Sequence, residues 1–144
     1  MKRKNQGKHF ALFGNPVGHS LSPRMHRAAC EEMGLAARYE SYRVENADEI
    51  VLMIKSLGID GASITLPFKE AVIGSLDEVT ESARTIGAVN TILNREDVLI
   101  GDNTDWIGLV RDLKDYMQIK GKTFAVLGAG GMARAAVFGL LQEG

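Results

Sequence analysis

Short apolar runs alternating with amphipathic, helix-like stretches constrain this chain more than any other feature. Phe10-Ala11-Leu12-Phe13 runs into Gly14-Asn15-Pro16-Val17-Gly18-His19-Ser20-Leu21-Ser22-Pro23, and a helical pattern starts at Arg24. The first run shows little alternation, which predicts a strand over His9 to Phe13 covered on both faces. The helix is predicted over Ser22 to Met33, with Ser22 as cap, Pro23 at the first helical position and Gly34 as stop. Its apolar positions, Met25, Ala28, Ala29 and Met33, recur at three- and four-residue spacing.

The alternation continues. Tyr39 to Val44 reads as a second strand. Asn46 caps a second helix, with Glu49 completing a capping box and Ile50, Met53, Ile54 and Leu57 facing inward until Gly58. A strand over Gly61 to Thr65 stops at Pro67. Short helical pieces follow at Lys69 to Ile73 and Glu81 to Ile86. Val89 to Leu93 and Val98 to Ile100 are strand candidates joined by a polar turn at Asn94 to Asp97. A third long helix over Asp105 to Met117 is expected to bury Trp106, Val110, Leu113 and Met117. After a polar break at Lys120 to Lys122, Thr123 to Leu127 reads as a strand entering Gly128-Ala129-Gly130-Gly131, and Met132 to Leu141 as a helix.

A chain of this layout predicts an α/β fold: a largely parallel, three-layer domain followed by an incomplete Rossmann-type domain. Right-handed crossovers would bring the turns at Gly14–Ser22, Thr65–Lys69 and Ala88–Asn90 to one rim, although the direction of the strand after Asn90 stays open. With 144 residues, the chain has room for one packed domain and the start of another.

Charge and composition exclude several classes. The 17 Lys and Arg nearly balance 18 Asp and Glu, which gives no bulk attraction to nucleic acid or an anionic membrane. Apolar stretches are too short to span a bilayer. The Lys2-Arg3-Lys4-Asn5-Gln6 start lacks the continuous apolar run of a secretory signal and reads as a solvated tail. Cys30 has no partner and reads as a small core residue. The three histidines have no metal-ligand spacing, and Asp102 and Asp105 lack a calcium loop, so no metal is expected.

The chemistry concentrates in the turns. Ser20 and Ser22 beside helix N–H groups make an anion seat suited to a carboxylate, although an ordinary capped turn uses the same residues. Lys69, after Pro67 and Phe68, and Asp105, in Gly101-Asp102-Asn103-Thr104-Asp105, could bracket a substrate hydroxyl. A solvated lysine and a first-turn aspartate behind a Thr104 cap are the structural alternatives. His19 and His26 are weaker candidates. The glycine turn has Ala133 where the common dinucleotide fingerprint has its last glycine, and it lacks the Lys-Ser or Lys-Thr of an ATP loop. Trp106 reads as a packing residue.

Five of these blocks, Gly14 to Pro23, Thr65-Leu66-Pro67-Phe68-Lys69, Gly87-Ala88-Val89-Asn90-Thr91, Gly101 to Asp105 and Gly128 to Gly131, occur in an order that resembles the shikimate dehydrogenase family. The resemblance runs from His9 onward. It implies a substrate-binding and catalytic domain over 1–104, a linking helix and hinge over 105–120, and the truncated start of an NADP-binding domain over 121–144. It further implies reversible reduction of 3-dehydroshikimate to shikimate in a cytoplasmic enzyme, with the oligomeric state open. Ser20 and Ser22 would hold the substrate carboxylate with Thr65 near it, and Asn90 would bind substrate hydroxyls. Lys69 would be the main catalytic residue, with Asp105 its partner at the reacting hydroxyl or ketone. Gly128, Ala129, Gly130 and Gly131 would hold the NADP pyrophosphate. Ser63 stands where the family often has asparagine, and Trp106 where glycine is common. Quinate as substrate, or a non-catalytic shikimate-binding relative, are the alternatives.

Overall fold

The computed structural model describes residues 7–144, so the tail read at Lys2 to Gln6 lies outside the described residues. The strands are β1 (Lys8–Gly14), β2 (Ala37–Arg43), β3 (Gly61–Ile64), β4 (Glu78–Val79), β5 (Thr91–Arg95) and β6 (Val98–Asp102). The α-helices are α1 (Ser22–Glu32), α2 (Ala47–Leu57), α3 (Glu81–Ile86), α4 (Asp105–Tyr116) and α5 (Gly131–Gln142), with a 3-10 helix at Ala71–Ser75. The strands form one sheet in the order β2-β1-β3-β5-β6-β4. Parallel pairing joins β2, β1 and β3, and also β4 and β6, while β5 opposes both of its neighbours. The sheet is therefore mixed, and β5 alone runs against the rest.

Alternation along β1 sets the two faces. Ala11 and Phe13 join Ala62, Ile64, Ile92 and Leu99 in the main core, beneath Ile50, Ile54 and Val72. Ile50 and Ile54 are fully buried, and each contributes about 1.5–3 kcal/mol by leaving water, which docks α2. Asn46 Oδ1 accepts the Glu49 N–H at 3.0 Å, as predicted. Glu49 closes the box one residue early, accepting from the Glu45 N–H at 2.9 Å. Gly58, at φ +60°, ends the helix in the left-handed region.

Phe10 and Leu12 face the other side with Tyr39 and Val17. Here the predicted α1 face is corrected. Met25 and Met33 are 66% and 70% exposed, whereas Ser22, His26 and Cys30 line a cleft between α1 and the sheet. Cys30 is consequently half-buried rather than a core residue. The predicted cap is corrected as well. Leu21 is the N-cap, and the Ser22 N–H is taken by Ser20 Oγ at 3.2 Å, so Ser22 already lies inside the helix.

A two-residue hairpin turn joins β5 to β6, with Glu96 at φ +54° and Asp97 at φ +69°. Beyond β6, α4 and α5 cross closely at Gly139. A Cβ there would lie 2.9 Å from Val110 Cγ2 and 3.2 Å from the Trp106 carbonyl. Trp106 meets Phe138 edge-on at 5.3 Å, which bears out its reading as a packing residue. Of the other predicted inward positions, Val110 is buried and Leu113 half-buried. Met117 is exposed because the helix ends at Tyr116 and Met117 is extended. Thr123 to Leu127 joins no sheet: among the described residues no strand lies beside it, and Leu127 is 97% exposed.

Candidate active site

The rim at the carboxyl ends of β1, β3 and β6 gathers the residues that the sequence singles out. Because β5 runs the other way, its leading residue Asn90 lies at that rim too, where its carbonyl accepts the Ile64 N–H at 2.7 Å. Lys69 Nζ donates to Asp105 Oδ2 at 2.7 Å, and Asn90 Nδ2 donates to Asp105 Oδ1 at 2.7 Å. Both charged side chains are mostly buried, at 17% and 19% exposure. This excludes the solvated-lysine alternative. With so little solvent around the pair, removing either partner would leave the other charge shielded and uncompensated.

The polypeptide around Asp105 is fixed by a fully buried side chain. Asn103 Nδ2 donates to the Ala88 carbonyl at 2.9 Å, and its Oδ1 accepts the Asp105 N–H at 3.0 Å. Asn103 thus does the work expected of a Thr104 cap. Thr104 makes no side-chain cap bond and instead lies against Asn90, whose Oδ1 accepts the Thr104 N–H at 2.9 Å. Thr91 donates to the same Asn90 oxygen at 2.8 Å. Every polar atom of the Asn90 amide is thereby oriented, with Nδ2 aimed at the carboxylate.

Below and beside this cluster runs a cleft of about 990 Å³. Ser20, Ser22, Thr65, Lys69, Asn90 and Asp105 all line it, so the structure brings together the predicted substrate-side residues. Ser20 Oγ donates to Ser22 Oγ at 3.2 Å, which places two hydroxyls side by side at the start of α1. The floor holds a residue that the sequence motifs do not single out. The Tyr39 phenol donates to Ser63 Oγ at 2.9 Å, and the His26 ring stacks on Tyr39 at 4.1 Å. Burial pushes the Tyr39 phenol up, against the opposing effect of its bond to Ser63. No alternation along β2 marks it, because Ser41, two residues on and on the same face, is exposed. His19 also lines the cleft.

The glycine turn abuts the cluster. Gly128 takes φ +119°, a backbone state that favours glycine, and Gly130 precedes the first turn of α5, which has no side-chain cap. Gly131 packs so closely that a Cβ would lie 3.0 Å from Ala88 Cβ and 3.7 Å from Lys69 Cδ. Uncapped N–H groups behind a glycine cradle suit an anionic pyrophosphate. Arg134, which sits within an otherwise apolar helical pattern, turns back across α3. Its Nε donates to the Ile86 carbonyl at 2.8 Å, Nη2 to Gly87 at 3.0 Å and Nη1 to Ala129 at 3.1 Å. Among the described residues, no group of His, Cys, Asp and Glu is arranged to hold a metal, and no helix is long and apolar enough to cross a membrane.

Known proteins share the sequence and fold of this chain. Residues 12–92 match the family model for the shikimate dehydrogenase substrate binding domain. A shikimate dehydrogenase (NADP(+)) of Geobacillus sp. strain WCH70 is 47% identical over 141 residues, covering 95% of this chain and 51% of that protein. The crystal structure of a Thermus thermophilus shikimate 5-dehydrogenase in complex with NADP(H) and shikimate has a TM-score of 0.89 at 41% identity, covering 95% of this chain and 53% of that one. A ligand-free 5-ketofructose reductase of Gluconobacter sp. strain CHM43 has a TM-score of 0.88 at 37% identity, covering 96% and 51%. The chain spans about half the length of the curated relatives it matches. Because that family model matches more than half of the chain, the chain belongs to the shikimate dehydrogenase family.

Proposed function

We propose that the protein carrying this chain is a cytoplasmic NADP-dependent dehydrogenase that interconverts 3-dehydroshikimate and shikimate, and that this chain supplies the substrate side of its site. The observation that carries the reading is the shielded Lys69–Asp105–Asn90 cluster on the rim of a cleft that also holds Ser20, Ser22 and Thr65. Reduction of a ketone needs a hydride at carbon and a proton at oxygen. The Lys69 ammonium donates that proton to the forming alkoxide, and Asp105 holds the ammonium in place and takes a hydrogen bond from a neighbouring substrate hydroxyl. Asn90 orients a second hydroxyl. The paired hydroxyls of Ser20 and Ser22, with Thr65, receive the carboxylate at the far side of the ring.

NADPH, when bound, would supply the hydride to the ketone carbon and leave as NADP+, the reverse reaction returning it. Gly128, Ala129, Gly130 and Gly131 would hold its pyrophosphate through the N–H groups opening α5. In this reading residues 1–104 are the substrate domain, 105–120 the linking helix and hinge, and 121–144 the opening of the cofactor domain. The 144-residue chain alone then binds substrate without turning it over.

The test is steady-state kinetics of the full-length protein with Lys69→Ala. Turnover is expected to fall by roughly 10²–10⁴, the range for loss of a positioned acid–base group, while the shikimate KM changes far less. Unchanged turnover would reject Lys69 as the proton donor. Parallel assays with quinate and 5-ketofructose decide the substrate, and a preference for either over shikimate would overturn the assignment.

A further inference from the structure

We propose that Arg134 is a positioning residue, a latch that holds the glycine turn and the Lys69 segment at one fixed separation. The inference rests on the dehydrogenase reading for its catalytic consequence, and on geometry alone for the latch itself. Its guanidinium has four partners on three separate segments. They are the Ile86 and Gly87 carbonyls at the end of α3, the Ala129 carbonyl inside the glycine turn, and Glu70 Oε1 at 2.9 Å. Glu70 is the residue next to Lys69, so one planar group links the cofactor turn to the neighbour of the ammonium.

The charge is placed against the preference of its own helix. A cation in the opening turns of α5 faces the positive end of that helix dipole. It is compensated by reaching the last carbonyls of α3, the negative end of another helix, and the Glu70 carboxylate. Gly87, at φ +70°, carries a carbonyl to the guanidinium, and a Cβ there would approach Arg134 Nε to 3.7 Å. The fork geometry matters. A guanidinium presents five N–H donors in a fixed plane, whereas a lysine ammonium is a single point on a flexible stem and cannot span the same set. The opening of α5 lies directly against the Lys69 segment, for a Cβ on Gly131 would sit 3.0 Å from Ala88 Cβ and in van der Waals range of the Lys69 stem. A displaced α5 would move the N–H groups at its opening relative to Lys69, and a misplacement of about 1 Å costs on the order of 100-fold in rate.

Two measurements test it. In the 144-residue chain, Arg134→Ala is expected to speed amide hydrogen exchange across α5 at least about tenfold while leaving α2 exchange and shikimate affinity unchanged. Arg134→Lys should do the same, because charge alone does not restore the fork. In the full-length protein, both variants should lower kcat by about 10- to 100-fold, leave the shikimate KM within about threefold, and raise the primary isotope effect with NADPH deuterated at the transferred position. Exchange of α5 at the wild-type rate in both variants would overturn the latch, whatever the substrate. Faster exchange with kcat and isotope effect unchanged would overturn its catalytic consequence. A wild-type protein inactive on shikimate would sink the dehydrogenase reading instead, and the exchange result would still decide the latch.

Discussion

Asn103 offers the sharpest link between fold and site. Its side chain is fully buried and spans two backbones, donating to Ala88 and accepting from Asp105. Asn103→Ala removes both bonds at once. The Ala88 residue is itself fully buried, so its carbonyl loses its partner where water cannot readily replace it, at a cost of about 1–3 kcal/mol. The Asp105 N–H opens a partly exposed helix turn and loses about 1 kcal/mol. Together these give about 3 kcal/mol, a factor of roughly 10² in the folding equilibrium. With a urea slope of about 2 kcal/mol/M, the unfolding midpoint of the chain should fall by about 1.5 M. Trp106 fluorescence and far-ultraviolet circular dichroism should follow the transition together. Asn103→Asp adds a sign. Its carboxylate faces the Ala88 carbonyl without a proton to share, so burial and repulsion raise its folded pKa above the unfolded value of about 3.9. The penalty against wild type should therefore be full at neutral pH and shrink as pH falls through that raised value, because the protonated acid donates again. An Asn103→Ala midpoint within about 0.3 M of wild type, or an Asn103→Asp deficit that ignores pH, would refute the reasoning.

Three further outcomes are expected. Replacing Ser20 or Ser22 by Ala should weaken shikimate binding to the chain by about tenfold to 100-fold each, as a lost hydrogen bond to a charged group of about 1.5–3 kcal/mol requires, and calorimetry showing unchanged affinity in both would remove the carboxylate seat. At the opposite end of β1, burial raises the Asp60 carboxyl, but the His9 N–H and the Lys8 ammonium outweigh it and hold the pKa below the usual range. A depressed carboxyl stabilises the fold above its unfolded pKa and loses that contribution as pH falls through the folded value. Asp60→Asn should therefore cost about 1 kcal/mol at pH 7 and little at the acid end, as read by urea midpoints at several pH values. Gly139→Ala forces a methyl group against Val110 and the Trp106 carbonyl, so it should destabilise the chain by about 1–3 kcal/mol and alter Trp106 emission.

What the sequence disclosed depended on how local the governing physics was. The α2 helix was legible because its cap, its apolar stripe and its terminal glycine are local and mutually consistent, and Ile50 and Ile54 are buried as the stripe demands. The face of α1 was misread for the opposite reason. Met25 and Met33 have helical spacing, but the helix borders an open cleft and turns Ser22, His26 and Cys30 toward it. Ser22 likewise matched a cap by residue type, while the backbone at Leu21 begins the helix one residue earlier. Of the site, Lys69 and Asp105 could be named from the chain, but not their 2.7 Å contact, which depends on segments far apart in sequence. Asn103 and Arg134 were missed because their roles consist of reaching distant carbonyls, and no local pattern records that.

Asn90 shows where a firmer deduction was available. In a wholly parallel sheet the residue entering a strand lies at the amino end, on the side away from a site at the carboxyl ends. Asn90 would then sit far from Asp105. Yet the turn between β5 and β6 is only Glu96-Asp97, and a parallel connection needs a crossover of a dozen residues or so. The two strands must form a hairpin. Since β6 leads directly into Asp102 to Asp105, the start of β5 and the end of β6 share one rim, as the pairing of Thr91 with Asp102 requires. The short turn thus fixes the direction of β5, and that direction carries the Asn90 amide to within 2.7 Å of the Asp105 carboxylate. The one reversed strand, a departure from the parallel pattern, is what lets a residue before β5 join two residues that follow β3 and β6.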